Sequence, residues 1–408
     1  MSDISVSKLA NGVTVISEKI TYVKSFSLGL WVNTGSLFET PDNNGISHFI
    51  EHMVFKGTKT RSAKKISDEI ESLGGYLNAF TSKENTCFYG RGLNSHFGKT
   101  FEVISDLILN PLFKPADIKK EAGVVIDELH DIEDSPEEII FEIFETELFK
   151  KTCYELPIIG TEETISNFSQ SKLFNYISKQ YATDNILICA SGMIEHEACL
   201  KLANKYFSSL PHKSIPKKKK IVIQNSGNKK VKKDIQQSHF ILGKSTVGYD
   251  NSSRTAINLM SHILGGGSSS RLFQSLRERN GITYQINSFL NSFFDISSFG
   301  IYFSTNPHLT AKAISIIKKE LTKINSGDIK KSELDKAKEF MKGSLTMNLE
   351  NITNRMMKIA QSYLYFNKVK LYDDVINEIN NVDLEKINYF AKQLCNPDSF
   401  IQISIEPK

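Results

Sequence analysis

The chain has 408 residues, more than one hydrophobic core ordinarily organises, so two or more domains of roughly 100–200 residues each are expected. With 40% apolar and 24% charged residues its composition is that of a globular protein, which excludes a disordered or fibrous one. The net charge of +4 is small, and the lysines from Lys217 to Lys220 and from Lys229 to Lys233 have no interleaved aromatic residues, so they read as a solvated linker face and nucleic acid is not an expected partner.

The cysteines Cys87, Cys153, Cys189, Cys199 and Cys395 are odd in number and widely spaced, without a CxxC pair, which fits a reducing compartment and excludes zinc fingers. The start, MSDISVSKLANGVTV, has neither the charged and apolar regions of a secretory leader nor an Arg-rich amphipathic pattern. No run of about 18 apolar residues is present, so no membrane contact and a cytoplasmic location are expected.

In chain order, residues 5 to 17 predict two strands around an Asn11-Gly12 turn, followed by the alternating run SFSLGLWVNTGS. Next comes a helix holding NGISHFIEHMVFKGT, residues 44 to 58. SAKKISDEIESLGG predicts a helix stopped by Gly74-Gly75, and YLNAFTSKENTCFYGRGL two antiparallel strands around a polar turn. Long helical stretches follow near 96–109 and 115–149, then a helix and the strand NILICASGMI. Two prolines and the lysine run predict a linker at 211–220, dividing a domain of residues 1–210 from one of 221–408.

The second half repeats the order of the first. SHFILGKSTVG parallels FSLGLWVNTGS, LFQSLRERNGITYQINSF parallels ISDEIESLGGYLNAFTSK, and INYFAKQLCNPDSFIQIS parallels FNYISKQYATDNILICASG, an alignment that pairs Tyr176 with Tyr389. The fold class is therefore α+β, with two homologous domains, each a mostly antiparallel sheet covered by helices. Where the first half has ISHFIEHMVFKG the second has INLMSHILGGG, and only His262 remains.

His48 and His52 stand four residues apart, one helical turn, so both imidazoles reach a single cation on one face. Catalytic zinc takes three protein ligands, so a third must come from elsewhere in the chain. Among the later acids Glu121, Asp127, Glu128, Asp131 and Glu133, residue type alone does not choose. Glu51 lies on the same face as the histidines, placed to take a proton from an activated water.

The HxxEH order inverts the commoner HExxH zinc motif. On this motif, and on the repeat, the chain resembles the pitrilysin and mitochondrial processing peptidase family of inverted zincins over essentially its whole length. It is most similar to the catalytic beta subunit of the processing peptidase and its bacterial relatives. The resemblance implies Glu128, in EAGVVIDELHDIEDSPEE, as third ligand of one zinc ion per chain, with Glu121 bracing a ligand histidine through its other ring nitrogen.

It further implies that YLNAFTSKE pairs with the substrate backbone at an exposed sheet edge, through Asn78, Ala79, Phe80 and Thr81. Arg277 and Tyr284, in GGGSSSRLFQSLRERNGITYQ, match the family's pair that holds a substrate carbonyl and stabilises the oxyanion. Gly265 to Gly267 resemble its glycine-rich loop. Glu138 and Glu142 match acids that read an arginine near the cleavage site.

The implied function is a zinc-dependent endopeptidase that cuts extended, basic peptides or presequences inside a closed chamber. Chains of this length are half-clams in the family, so a homodimer is expected, or a heterodimer, with Arg277 and Tyr284 serving the partner's zinc. The competing expectation is a substrate-binding or assembly subunit, active only with a different partner subunit.

Overall fold

The structure is a computed structural model and describes residues 3–214 and 227–408. Residues 215–220 of the expected linker, with Lys217 to Lys220, lie outside the described residues. The chain forms two compact units, neither of them contiguous: residues 1–130, 156–219 and 348–369 make the first, and residues 131–155, 220–347 and 370–408 the second.

The first unit is built on a sheet of strands β1 (Asp3–Lys8), β2 (Thr14–Lys19), β3 (Ser25–Val32), β4 (Tyr76–Thr81), β5 (Thr86–Leu93) and β6 (Ile186–Gly192), in the order β1-β2-β6-β3-β5-β4. All neighbours are antiparallel except β2 and β6. Phe26 to Val32 of β3 are all buried, so the centre of this sheet is covered on both faces. On one face lie α1 (Ile46–Val54), α2 (Ala63–Glu71) and α3 (Phe97–Leu109). The other face carries Ile16, Trp31, Cys87, Leu187 and Cys189, which pack on Met356, Ile359 and Ala360 of the helix Ile352–Phe366. That helix comes from the second half of the chain.

The long helical stretch expected at 115–149 is two helices, α4 (Pro115–Asp134) and α5 (Pro136–Leu148). Pro136 has no N–H to donate and its ring excludes the helical conformation at Ser135, which is extended at φ −90°, ψ 103°. The chain passes from the first unit to the second at residues 130–131, in the last turns of α4 before this break, and α5 belongs to the second.

The second unit has strands β7 (Lys229–Lys233), β8 (Ser238–Val247), β9 (Thr283–Ser292), β10 (Ile296–Thr305) and β11 (Ile401–Pro407), in the order β7-β11-β8-β10-β9. The α5 helix packs on β8 and β11, where Gly243 leaves room for the Phe144 ring: a Cβ there would lie 2.3 Å from it. The helices Arg254–Gly265, Thr310–Asn325 and Leu384–Leu394 supply the core of this unit with Ile257, Met260, Ile317, Leu321 and Ile387. Each unit thus takes one covering helix from the opposite half of the chain. Lys229 to Lys233 form an edge strand rather than a linker face, with Lys230 paired to Glu406 and Lys229 to Glu147; a lysine-rich edge resists pairing with other chains.

The repeat is present in the fold with one shift of register. Helix Gln170–Gln180 buries Leu173 and Tyr176, while Leu384–Leu394 buries Ile387, Ala391 and Leu394. Setting Tyr176 against Phe390 brings buried Leu173 opposite buried Ile387, whereas Tyr389, the expected counterpart of the buried Tyr176, is 56% exposed. A further helix, His196–Phe207, follows β6 and was not read from the sequence.

Candidate metal centre

α1 is amphipathic in an unusual sense, because its second face is not left to solvent. Ile46, Phe49, Ile50, Met53 and Val54 fill the core beneath the sheet. His48 and His52 project from the other side with ring centroids 4.6 Å apart. Helix α4 passes over them, burying Ile118, Glu121 and Val125, and the same helical face brings Glu128 to the histidines. Glu128 Oε1 lies 3.7 Å from His48 Nε2, and its Oε2 lies 3.5 Å from His52 Nε2.

All three ligand atoms fall within 4.8 Å of one another. Ligands bound to zinc at about 2.0–2.1 Å in tetrahedral geometry stand about 3.3 Å apart, so the donor set fits this ion with small adjustments. Among the described residues no other three such groups converge. Burial, followed by the neighbouring His52, lowers the His48 pKa to about 4, which keeps its ring neutral and its lone pair available at neutral pH. His48 Nδ1 is buried without a hydrogen-bond partner, so the ring's polar contact is through Nε2.

Glu121 is buried on α4 beside His52. Its Oε1 accepts a 2.9 Å hydrogen bond from His52 Nδ1, and its Oε2 pairs with Lys56 Nζ at 2.7 Å. Burial resists ionisation of Glu121, but the bonds from His52 and Lys56 outweigh it and hold its pKa below the usual range. For His52 the balance runs the other way: burial disfavours its charge, while Glu121, Glu128 and Glu51 raise its pKa. With Nδ1 committed to Glu121, His52 offers Nε2 to a metal.

Glu51 is partly buried beside this cluster, and burial raises its pKa. Its Oε2 accepts a 2.5 Å hydrogen bond from Thr81 Oγ1. Thr81, expected in the substrate-pairing strand through its main chain, turns its hydroxyl to Glu51, because alternate residues of β4 (Leu77, Ala79, Thr81) point toward α1. Asn78 and Phe80 point to the opposite, exposed face.

β4 is the edge of its sheet. Ala79 N–H does not serve the β5 ladder but donates to Asn78 Oδ1 at 2.8 Å, and Asn78 Nδ2 donates to Tyr76 Oη at 2.8 Å. Among the described residues the outward side of β4 pairs with no other strand.

Arg277, Tyr284, Glu138 and Glu142 belong to the second unit. Arg277 lies in a π-helical turn, Phe273–Glu278, a deviation often found at functional positions. Its guanidinium donates to Tyr284 O at 3.0 Å and lies 4.5 Å from the centre of the Tyr284 ring and 4.9 Å from that of Phe273. Tyr284 is 74% exposed at the start of β9. Glu138 is exposed and Glu142 half-buried on α5.

Among its described residues the second unit has no matching set of metal ligands. By the spacing of buried residues, Leu334 and Ala337 of helix Lys331–Asn348 occupy the places of Ile118 and Glu121, which puts Ser344 where α4 has Glu128. His262 remains on the helix Arg254–Gly265, but its ring stacks under Phe340 with centroids 4.2 Å apart.

Two sheet-based α+β units, one with a helix-borne HxxEH and a distant glutamate, define the inverted zincin class. Residues 14–162 match the family described as insulinase (peptidase family M16), and residues 167–341 match its "Peptidase M16 inactive domain". The chain belongs to peptidase family M16. It is 34% identical to the uncharacterized zinc protease YmxG of Bacillus subtilis, covering 95% of each chain. It is 33% identical to an uncharacterized zinc protease of Rickettsia bellii, covering 96% of this chain and 94% of the relative.

Among solved structures it is similar in fold to a protease from Helicobacter pylori, with a TM-score of 0.91, 22% identity and full coverage of both chains. A "peptidase M16 inactive domain" from Pseudomonas fluorescens gives the same TM-score at 18% identity, covering 100% of this chain and 98% of the other. The described residues include no helix long and apolar enough to cross a membrane.

Proposed function

We propose that this protein is a zinc-dependent endopeptidase acting on extended peptides. The observation that carries the reading is the convergence of His48, His52 and Glu128 within 4.8 Å, beside a Glu51 tied by Thr81 to an open edge strand. Held by His48, His52 and Glu128, zinc would supply Lewis acidity, making water at the site a better acid and polarising the scissile carbonyl. Glu51 takes the proton of the attacking water on Oε1, since Oε2 is held by Thr81, and returns it to the departing amine nitrogen. β4 aligns the substrate by strand addition, which recognises main chain and not sequence.

The finer reading assigns basic peptides or presequences as substrates, with Glu138 and Glu142 attracting arginine, and a dimer enclosing a chamber in which Arg277 and Tyr284 stabilise the oxyanion. The guanidinium stacked on Tyr284 and bonded to its carbonyl supports this, because the pair is held together before substrate arrives.

The test is incubation of a basic peptide of about 20 residues, long enough to span an edge strand and its flanks, with wild-type and Glu51→Gln protein, read by mass spectrometry. Zinc content is measured on both. Cleavage by wild type alone, with zinc in both, is expected; equal cleavage by Glu51→Gln removes Glu51 from the chemistry, and a wild type that holds zinc but never cleaves rejects the autonomous peptidase.

A further inference from the structure

A helix of nine residues such as α1 keeps its side chains in place only if its first turn is pinned. Its own N-cap position cannot do this: it is Gly45, at φ +88°, with no side chain to offer. The anchor is Glu39, six residues upstream and 7% exposed. Glu39 Oε2 accepts from Gly45 N–H at 2.7 Å and from Asn44 Nδ2 at 3.0 Å, and Oε1 accepts from Ser47 N–H at 2.8 Å. A carboxylate suits this place, since the start of a helix carries partial positive charge and unpaired N–H donors.

Two further ties act on the same turn. Ser47 Oγ lies 2.8 Å from Tyr176 Oη, which lies 3.1 Å from Thr34 Oγ1. Asn44 Nδ2 also donates to Pro157 O at 2.8 Å, and the two backbones cross so closely that a Cβ at Gly45 would lie 2.5 Å from Ile159 O. The residue after Ser47 is His48. Glu39 therefore reaches the metal ligands only through the backbone of α1.

We propose that Glu39, backed by Tyr176, is a positioning residue for the metal centre, fixing the first turn of α1 so that His48 and His52 hold their Nε2 atoms at the spacing zinc requires. The inference rests on the metallopeptidase reading of that site. A neutral amide cannot replace the carboxylate: Gln has one acceptor oxygen, so its NH2 would face either Gly45 and Asn44 or Ser47 and leave buried donors unpaired.

A residue needed only for folding lowers the melting temperature and leaves the metal in the folded protein unaffected; a positioning residue changes the metal itself. The full chain is compared as wild type, Glu39→Gln and Glu333→Gln, the last a control that removes the partner of Arg271 in the second unit. Three quantities are read: zinc affinity by competition with a chromogenic chelator, the visible spectrum of the cobalt(II)-loaded protein, and kcat and KM for the basic peptide.

Glu39→Gln is expected to weaken zinc binding about 10-fold or more, the range for partners that orient metal ligands. It should also alter the cobalt spectrum and lower kcat with KM unchanged, while Glu333→Gln matches wild type in all three. Wild-type affinity and spectrum in Glu39→Gln overturn the proposal, whatever happens to its melting temperature. If Glu39→Gln does not fold, Tyr176→Phe takes its place, with about threefold weaker zinc binding expected for one lost hydrogen bond; wild-type affinity there overturns the proposal. Failure of the wild-type chain to bind metal overturns the reading of the site itself, and this inference with it.

Discussion

Thr81 settles which oxygen of Glu51 is free. Its hydroxyl donates to Oε2 at 2.5 Å, so the carboxylate cannot turn away from the ligand cluster without leaving a partly buried acceptor unpaired. Thr81→Val keeps the shape of the side chain and removes that donor. Hydrogen bonds to charged groups are worth about 1.5–3 kcal/mol, so kcat should fall about 10-fold or more with KM little changed. A rise in KM alone would return Thr81 to substrate pairing. In the folded chain Ile118, Glu121, Val125 and Glu128 share one face of α4, whereas Asp127, Asp131 and Glu133 are exposed. Residue type leaves five acids in play, and the face that α4 turns to the histidines selects two of them. Glu39 gave no such signal, because a cap supplied from six residues away depends on how the intervening turn folds.

At the scale of elements, β4 is both a wall of the site and the edge of a sheet. Ala79 N–H points outward and donates to the exposed Asn78 side chain, and an edge position of this kind tolerates proline. Ala79→Pro should therefore leave the β4–β5 pairing and the zinc content intact while removing one donor from an incoming strand. The expected cost is about 1 kcal/mol, roughly a fivefold loss of kcat/KM on an extended peptide. Unchanged kcat/KM would mean that peptides do not add to this edge.

The loop after α1 is held by Arg61, which is bonded to Glu69 of α2 at 2.8 Å, to Asp106 of α3 at 2.7 Å and to Glu102 of α3. Burial raises the pKa of Glu69 and of Asp106, but hydrogen bonds outweigh it: Arg61 and Lys99 on Glu69, and Thr58, Arg61 and Thr60 on Asp106, so both stay below their ordinary values of 4.5 and 3.8. A carboxylate with a depressed folded pKa stabilises the fold above its unfolded pKa, and that contribution disappears as pH falls through the folded one. The melting temperature should thus be insensitive to this network down to about pH 4.5 and drop below it. Arg61→Met, which strands Asp106 without its cation, should cost about 3–5 kcal/mol at neutral pH and flatten the acid dependence. An unchanged acid limb in that variant would show that other carboxylates govern acid unfolding.

For the whole molecule, the zinc cluster belongs to one unit and Arg277 with Tyr284 to the other. If the proposed dimer shares its site between chains, Arg277→Ala and Glu51→Gln proteins, each inactive alone, should recover part of the activity when mixed, since one combination of partners has both intact groups. No recovery in a demonstrated mixed dimer would place the two groups in the service of their own chain.

What the sequence by itself determined is local or periodic. His48, Glu51 and His52 are contiguous, and one helical turn suffices to put them on a face; two similar halves in the same order imply two similar sheets. Tertiary structure alone decided which acids meet the histidines, that Thr81 holds Glu51, and that Glu39 caps α1. It also decided that α5 covers the second sheet and helix Ile352–Phe366 the first. The physical reason is common to all of these. A contact between residues distant in the chain depends on which apolar faces bury each other, and a sheet apolar on both sides accepts any helix that fills its second face, from whichever half of the chain it comes.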